Sequence, residues 1–372
     1  MKQRVMIVAG EASGDLHGAG VVRELKKKNS SIEIFGSGGD KMEKEGMSLT
    51  FYVREMSFMG FVEVVKHLPL IRAVEKTLEQ LLILKKPDVV VLIDYPGFNL
   101  RFARIVKKYG IKVVYYISPQ VWAWKKGRVV KMRGLIDNML VVFPFEVPIY
   151  EKENIPVQFV GHPLVEEMQE TMSKENFYKR YGLDNAKKFI AVIPGSRKQE
   201  IENLFSVMVR SAVELAGSEK EVVVAVAPNL SMELYTNNLP PNMNLKFVQH
   251  STHEVMKYAE FAFVTSGTAT LETACVGTPM IVVYKTSVMT YWIARLVVKI
   301  KNIALVNIVA GKTIVPEMIQ GDATVGKLVD EARSILNSPE RYSDIKKELN
   351  IVRQKLGGTG ASENVADAIL AA

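Results

Sequence analysis

Residues able to do chemistry fall into a few short stretches of the chain. The first is "VMIVAGEASGDLHGAG" (residues 5–20), an apolar run that ends in a glycine-containing loop and opens into a helix. That is the layout of a phosphate-binding turn, yet it carries Glu11 and Asp15, two carboxylates that would repel a phosphate. Asp94 closes the apolar run of "DVVVLIDYPGFNLRFA", ahead of a Pro-Gly turn and Asn99. An acid there can accept a proton from a substrate hydroxyl as a general base, or it can cap the helix that follows. Asn99 is available as that cap, which would free Asp94. "ISPQVWAWKKGRVVKMR" offers Gln120, Trp122 and Trp124, with a basic helix beyond. The tryptophans are either a platform for a sugar ring or lipid chain, or buried core. His162, in "FVGHPL", lies at the junction between the two halves of the chain, to touch substrate or to hydrogen-bond in a hinge.

Two stretches in the second half suit a nucleotide diphosphate. In "FIAVIPGSRKQEI", Gly195 and Ser196 can present backbone N–H groups at a helix start, and Arg197 adds a fork shaped for phosphate oxygens. In "FAFVTSGTATLETACVG", Ser266, Gly267 and Thr268 would open a helix whose hydroxyls and amides can hold a pyrophosphate. Glu272 follows Thr268 by four residues, on the same helix face, placed to accept two ribose hydroxyls. A plain turn with a solvated arginine, and a Ser266 cap with a solvated Glu272, are the simpler readings. The equivalent places of the two stretches after neighbouring strands favour the ligand. GxGxxG follows neither first strand and GxxxxGK[ST] is absent, so hydride transfer and P-loop phosphoryl transfer lose support. The sequence has no His/Cys cluster and no HExxH, so no metal site and no cofactor is expected.

These residues need elements to position them. "RVMIVA", "IEIFG", "DVVVLID", "IKVVYYIS" and "NMLVVF" recur with helical stretches between them. After a polar interval the pattern restarts with "FIAVI", "EVVVAVA", "LKFVQ", "FAFVT" and "PMIVVY". Continuous β-branched runs alternating with helices predict parallel strands buried on both faces. Two such series, split near residues 161–172, predict an α/β protein of two Rossmann-like, doubly wound domains facing a cleft. Ligands of such sheets sit beyond the carboxyl ends of the strands, where the residues above fall.

The 372 residues suffice for two ordinary domains, and 48 basic against 40 acidic side chains give a formal charge of +8. That surplus suits a nucleotide, a phosphorylated lipid, a membrane surface or nucleic acid, or is ordinary surface lysine. Cys275 is the single cysteine, which fits a reducing, cytoplasmic location. The apolar stretch at the N-terminus is too short for a signal peptide, and no uncharged apolar run approaches the roughly 18 residues of a spanning helix. A soluble or peripheral protein is expected. "MSFMGFVEVVKHLPLIR", with Phe58, Met59, Phe61, Val62, Val65 and Leu68, and "YWIARLVVKIK" combine apolar and basic residues as membrane-surface segments do, although buried helices look the same.

In order, "GEASGD", "MGFVEV", "IDYPGFN", "SPQVWAW", "FVGHPL", "PGSR", "SGTATLE" and "NIVAGK" resemble the lipid-A-disaccharide synthases over nearly the whole chain. The resemblance implies a GT-B fold: residues 1–165 form an acceptor and membrane-side domain completed by about 345–372, and 166–344 bind the UDP-sugar. It implies an inverting transfer from UDP-2,3-diacylglucosamine to 2,3-diacylglucosamine 1-phosphate (lipid X), at the inner membrane surface and with no nucleic acid partner. Asp94 matches the family's essential acid; Gly195, Ser196, Arg197, Ser266, Gly267, Thr268 and Glu272 match the UDP-sugar motifs. Asn307 in "NIVAGK", and Glu317 and Gln320 in "PEMIQ", match family positions in the cleft. Where some members carry "APD" in the Asp94 motif, this chain has "YPG", so a second acid is missing there. With the nucleotide assigned to the second domain, the first loop becomes acceptor-side: its glycines, Gly14 among them, allow close approach, and Glu11, Ser13 and Asp15 can bond sugar hydroxyls. The rivals are a transferase adding N-acetylglucosamine to a lipid-linked peptidoglycan precursor, a UDP-sugar 2-epimerase and a non-catalytic nucleotide-sugar-binding membrane protein. None of these motifs encodes acyl-chain preference, oligomeric state or the uracil contacts.

Overall fold

The computed structural model describes residues 3–56, 68–124, 127–168, 172–241, 243, 245–286 and 302–372. The chain forms two compact units, Met1–Glu166 with Leu356–Ala372, and Glu167–Lys355. Phe58, Met59, Phe61, Val62 and Val65 lie outside the described residues, as does the segment "YWIARLVVKIK". Leu68 opens the helix Leu68–Lys85.

Among the described residues the first unit is built on seven parallel strands: β1 (Arg4–Ala9), β2 (Glu33–Gly38), β3 (Ser48–Tyr52), β4 (Val89–Ile93), β5 (Lys112–Tyr116), β6 (Asn138–Val141) and β7 (Val157–Phe159), in the order β3-β2-β1-β4-β5-β6-β7. β1 and β4, the central pair, align Val5 with Val89 through Ala9 with Ile93, and all ten of those side chains are buried. Met6, Val8, Val90, Leu92, Val113 and Tyr115 share one face and pack on the helices Leu68–Lys85 and Pro96–Lys108 through Leu78, Phe102 and Val106. This two-sided burial is what the unbroken apolar runs required. β3 and β7 escape a search for such runs, because β3 is largely open to solvent and β7 has three residues.

Leu356–Ala372 completes this unit. The helix Ala361–Leu370 packs on the first helix, Ala12–Lys28, burying Val365, Ala366 and Ile369. The fit is close: a Cβ on Gly20 would fall 2.4 Å from Ser362 Oγ. Glu166 accepts from the backbone N–H groups of Gly360 and Ser362, and Asn364 donates to Val160 O. The helix Pro339–Lys355 belongs to the second unit, so the chain changes unit at Leu356, later than the boundary near 345 that the resemblance implies.

Among the described residues the second unit has six parallel strands: β8 (Phe189–Ile193), β9 (Glu221–Val226), β10 (Lys246–Gln249), β11 (Phe261–Thr265), β12 (Met280–Tyr284) and β13 (Glu317–Ile319), in the order β10-β9-β8-β11-β12-β13. Strand order reverses between β1 and β4 in the first sheet and between β8 and β11 in the second. At such a switch point the two following loops diverge to opposite faces and leave a crevice at the carboxyl ends. Among the described residues no helix is long and apolar enough to cross a membrane.

Candidate active site

The loops leaving β1 and β4 meet at the first switch point. Gly10 is obligatory there, since a Cβ would lie 2.3 Å from the Tyr95 ring. Glu11 takes the N-cap position of the helix Ala12–Lys28 in extended backbone, makes no capping bond and is exposed, as is Ser13. Gly14 is buried against Ala9 and Ile93 and serves close packing of helix on strand.

Asp94 and Tyr95 both adopt left-handed backbone, with φ of 45° and 46°. Two such residues in succession are uncommon outside glycine, and Pro96 next in line disfavours this state for Tyr95. The turn persists because it is tied on several sides. Asp94 N donates to Tyr116 O, and the Tyr115 hydroxyl donates to Asp94 O at 2.6 Å. Asn99, fully buried, donates its amide to Ile93 O and Asp94 O at 3.1 and 2.8 Å. Asn99 is therefore not the helix cap expected from its position. Tyr95 fills the N-cap place, and Asn99 reaches backward to hold the strand exit.

Burial pushes the Asp94 carboxyl up from 3.8 to about 6, and the Glu11 carboxylate adds to the rise; the Tyr95 backbone N–H and His17 oppose it. An acid in this state is ionised at neutral pH yet basic enough to take a proton. His162, 8% exposed, is pushed down to about 3 by burial, with His17 contributing. Its Nδ1 accepts from Leu164 N at 3.1 Å, which leaves a neutral imidazole with the proton on Nε2. Asp15 departs from its expected role. Its carboxylate accepts from the backbone N–H groups of Gly39, Lys41 and Met42, so it caps the helix Asp40–Lys44 from the side and is committed to the fold.

Gln120 is exposed after β5, and half-buried Trp122 stands edge-on to Phe145 at 5.6 Å. Glu146, which follows β6, is a buried acid that sequence reasoning missed. Its signal was available: it falls beyond a strand's carboxyl end, as Asp94 does. His17, sensed by both Asp94 and His162, was missed as well, one turn along the helix from Gly14.

In the second unit, "PGSR" is used differently from the expectation. Ser196 N and Arg197 N donate to Glu200 Oε2 at 3.0 and 3.2 Å, and Arg197 Nη1 to Glu200 Oε1 at 2.9 Å. Glu200 thus supplies internally the negative charge that this helix start favours. Gly195 has a φ of 109° and would place a Cβ 2.1 Å from that carboxylate. The Arg197 side chain is still 69% exposed.

The start of the helix Thr268–Cys275 has no side-chain cap, and a Cβ on its N-cap, Gly267, would meet nothing within 4 Å. Thr268 is exposed in the first turn. This start is the more open of the two for a pyrophosphate. Ser266 does not cap; its hydroxyl donates to Ile303 O. Glu272 is half-buried, pushed up to about 7 by burial and then by Glu167, with His253 Nε2 3.9 Å away.

Asn307, Glu317 and Gln320, matched to cleft positions, spend their polar groups inside the unit. Buried Asn307 donates to Val315 O and Glu317 Oε1 and accepts from Ile314 N and Val315 N. Glu317 accepts from Ile303 N and Ala304 N, and Gln320 exchanges two hydrogen bonds with the Thr286 backbone. Asn307 and Glu317 thereby fix the chain that Ser266 leans on, and Gln320 holds the backbone just past β12. Among the described residues no three His, Cys, Asp or Glu side chains converge as a metal site.

Residues 5–370 match the lipid-A-disaccharide synthetase family. The chain belongs to that family. The lipid-A-disaccharide synthase of Geobacter sulfurreducens is 40% identical over 372 residues, 99% of this chain and 96% of its own. A putative UDP-N-acetylglucosamine 2-epimerase from Listeria monocytogenes shares the fold, with a TM-score of 0.68 at 13% identity over 99% of this chain and 96% of that one. The calicheamicin glycosyltransferase CalG4 does so with a TM-score of 0.66 at 15% identity, over 100% and 98%. The fold is thus the GT-B type, and the protein is an enzyme of the glycosyltransferase class, in a family that makes the lipid A disaccharide.

Proposed function

We propose that the enzyme transfers 2,3-diacylglucosamine from its UDP derivative to the 6-hydroxyl of 2,3-diacylglucosamine 1-phosphate, with inversion at the anomeric carbon. Asp94 takes the hydroxyl proton as that oxygen attacks C1 of the donor. The bond from C1 to the UDP oxygen breaks, and UDP leaves with the electron pair. The products are a β-1′,6-linked disaccharide 1-phosphate and UDP, with the proton on Asp94. Charge growing on the leaving diphosphate is met by the Thr268 helix start and the exposed Arg197 fork. Glu272 accepts from the ribose hydroxyls, and Glu11, Ser13, Gln120 and Trp122 border the acceptor.

The observation that carries this reading is Asp94, held by Asn99 and Tyr115 at the switch point and raised to about 6 by burial and Glu11. Mixing the two acylated substrates with enzyme should give a disaccharide 1-phosphate by mass spectrometry, and proton NMR should show the β anomer. An α linkage would exclude Asp94 as the base of an inverting step. An unchanged pair of substrates would remove the proposal.

The enzyme works at the cytoplasmic face of the inner membrane as a peripheral protein. The apolar and basic composition of "MSFMGFVEVVKHLPLIR" supports this. Polar replacement of Phe58, Phe61, Val62 and Val65 together should release the protein from anionic phospholipid vesicles. Undiminished sedimentation with vesicles would rule that segment out.

A further inference from the structure

One buried carboxylate in the first unit takes no part in the transfer described above. Glu146 is 2% exposed and accepts from Ser118 Oγ at 2.5 Å and from Phe143 N at 3.2 Å. It therefore joins two turns that leave neighbouring strands, β5 and β6. The turn after β5 is strained: Ile117, β-branched, has a φ of 64°, a region such residues rarely enter. Its N–H donates to Leu140 O, and Ser118, 6% exposed, makes the next tie.

The two turns carry aromatic rings that form a row. Trp122 meets Phe145 edge-on at 5.6 Å, Phe145 stacks on Phe143 at 5.3 Å, and Phe143 lies 5.2 Å from the His162 ring. The row runs along the carboxyl ends of the sheet, the edge from which Asp94 also emerges. Phe145 and Trp122 are half-buried, which leaves part of each ring open to a ligand. Burying a carboxylate is costly unless its hydrogen bonds are aimed. Burial pushes Glu146 up to about 7, against the pull of Ser118, the Phe143 backbone, Trp122 and the Val142 backbone. A neutral side chain of similar length would fill the space without that cost. What the carboxylate adds is direction, two acceptor oxygens that set one turn against the other.

We propose that Glu146 is a positioning residue for the lipid acceptor: by clamping the Ser118 turn to the Phe143 turn it holds Gln120 and the open rings of Trp122 and Phe145, anchored by the buried Phe143 ring, as a wall for the acceptor's sugar ring and proximal acyl chain. The inference rests on the reading of the first unit as the acceptor side. Steady-state kinetics with UDP-2,3-diacylglucosamine and 2,3-diacylglucosamine 1-phosphate, each varied in turn, test it on Glu146→Gln, Ser118→Ala and the double variant.

Loss of this buried hydrogen bond predicts an acceptor KM raised about tenfold in either single variant, with the donor KM within about twofold of wild type. The double variant should be no worse than Glu146→Gln, because both changes break one clamp. Equal rises in both KM values, or single effects that multiply in the double variant, would overturn the proposal. If Glu146→Gln fails to fold, Ser118→Ala decides alone, and an unchanged acceptor KM there counts against the clamp. Wild-type enzyme that makes no disaccharide removes the functional reading and this inference together. Active wild type with unaffected variants removes only this inference.

Discussion

Replacing Asp94 with asparagine separates the chemistry of the site from its shape. The backbone at Asp94 is left-handed, φ 45°, and asparagine tolerates that region better than other non-glycine residues, so the turn should survive. What is lost is a titratable oxygen. Asp94 rises from 3.8 to about 6 on folding, first through burial and then through Glu11. That rise corresponds to ~3 kcal/mol, an upper figure for a side chain that keeps some contact with water. Because the folded-state value lies above the unfolded one, the stability linked to this group is fully present below about pH 4 and is lost as pH rises through 6. Asparagine carries no such dependence. Urea unfolding of the two proteins should therefore show the variant gaining on wild type by up to ~3 kcal/mol between pH 4 and pH 8. Turnover should fall by a factor of about 10²–10⁴, as for loss of a general base. Parallel stability curves across that range would show that Asp94 does not bear the stated burden. Near-wild-type turnover with UDP binding intact would show that it is not the base.

Three further outcomes follow from the same geometry. In wild type the acid limb of kcat/KM should lie at about 6; Glu11→Gln removes the like charge beside Asp94 and should move the limb to lower pH, so an unmoved limb would detach Glu11 from Asp94. Asn99→Ala removes one donor each from Ile93 O and Asp94 O, the latter keeping the Tyr115 hydroxyl, and should cost about 1–3 kcal/mol in urea unfolding, with a fall in turnover as the Asp94 turn loosens. Glu272→Gln should raise the KM for the UDP-sugar about tenfold and leave the acceptor KM alone; the reverse pattern would take the ribose contact from Glu272.

The sheets were legible because their evidence is periodic and redundant. Ten apolar runs gave ten strands, nine of them buried almost throughout; β10, at a sheet edge, buries only Val248. β3, β7 and β13 were not legible, since none of them is a buried apolar run. Within the candidate site, the rule that ligands meet strand ends singled out Asp94, Arg197 and Thr268 from position alone. It could not tell which polar groups the fold would consume. Asp15 lies four residues from Glu11, yet one caps a neighbouring helix and the other faces solvent, and that difference arises only when β2 brings Gly39 alongside. Glu200 was invisible for the same reason: its role depends on Gly195 turning the chain back over it. Asn307 was matched to a motif, but nothing in the motif distinguishes an amide that binds a ligand from one that binds Val315 and Glu317.

The return of the chain at Leu356 has a consequence for how the protein is made. Residues 167–355 leave the ribosome before the helix Ala361–Leu370 that packs on the first helix. The nascent first unit must wait with that face of the first helix uncovered while an entire second unit is synthesised, for at least ~10 s at ordinary elongation rates. The unit made last in sequence can be complete first. A chaperone that shields the Ala12–Lys28 face during that interval would bind a surface the finished protein no longer shows.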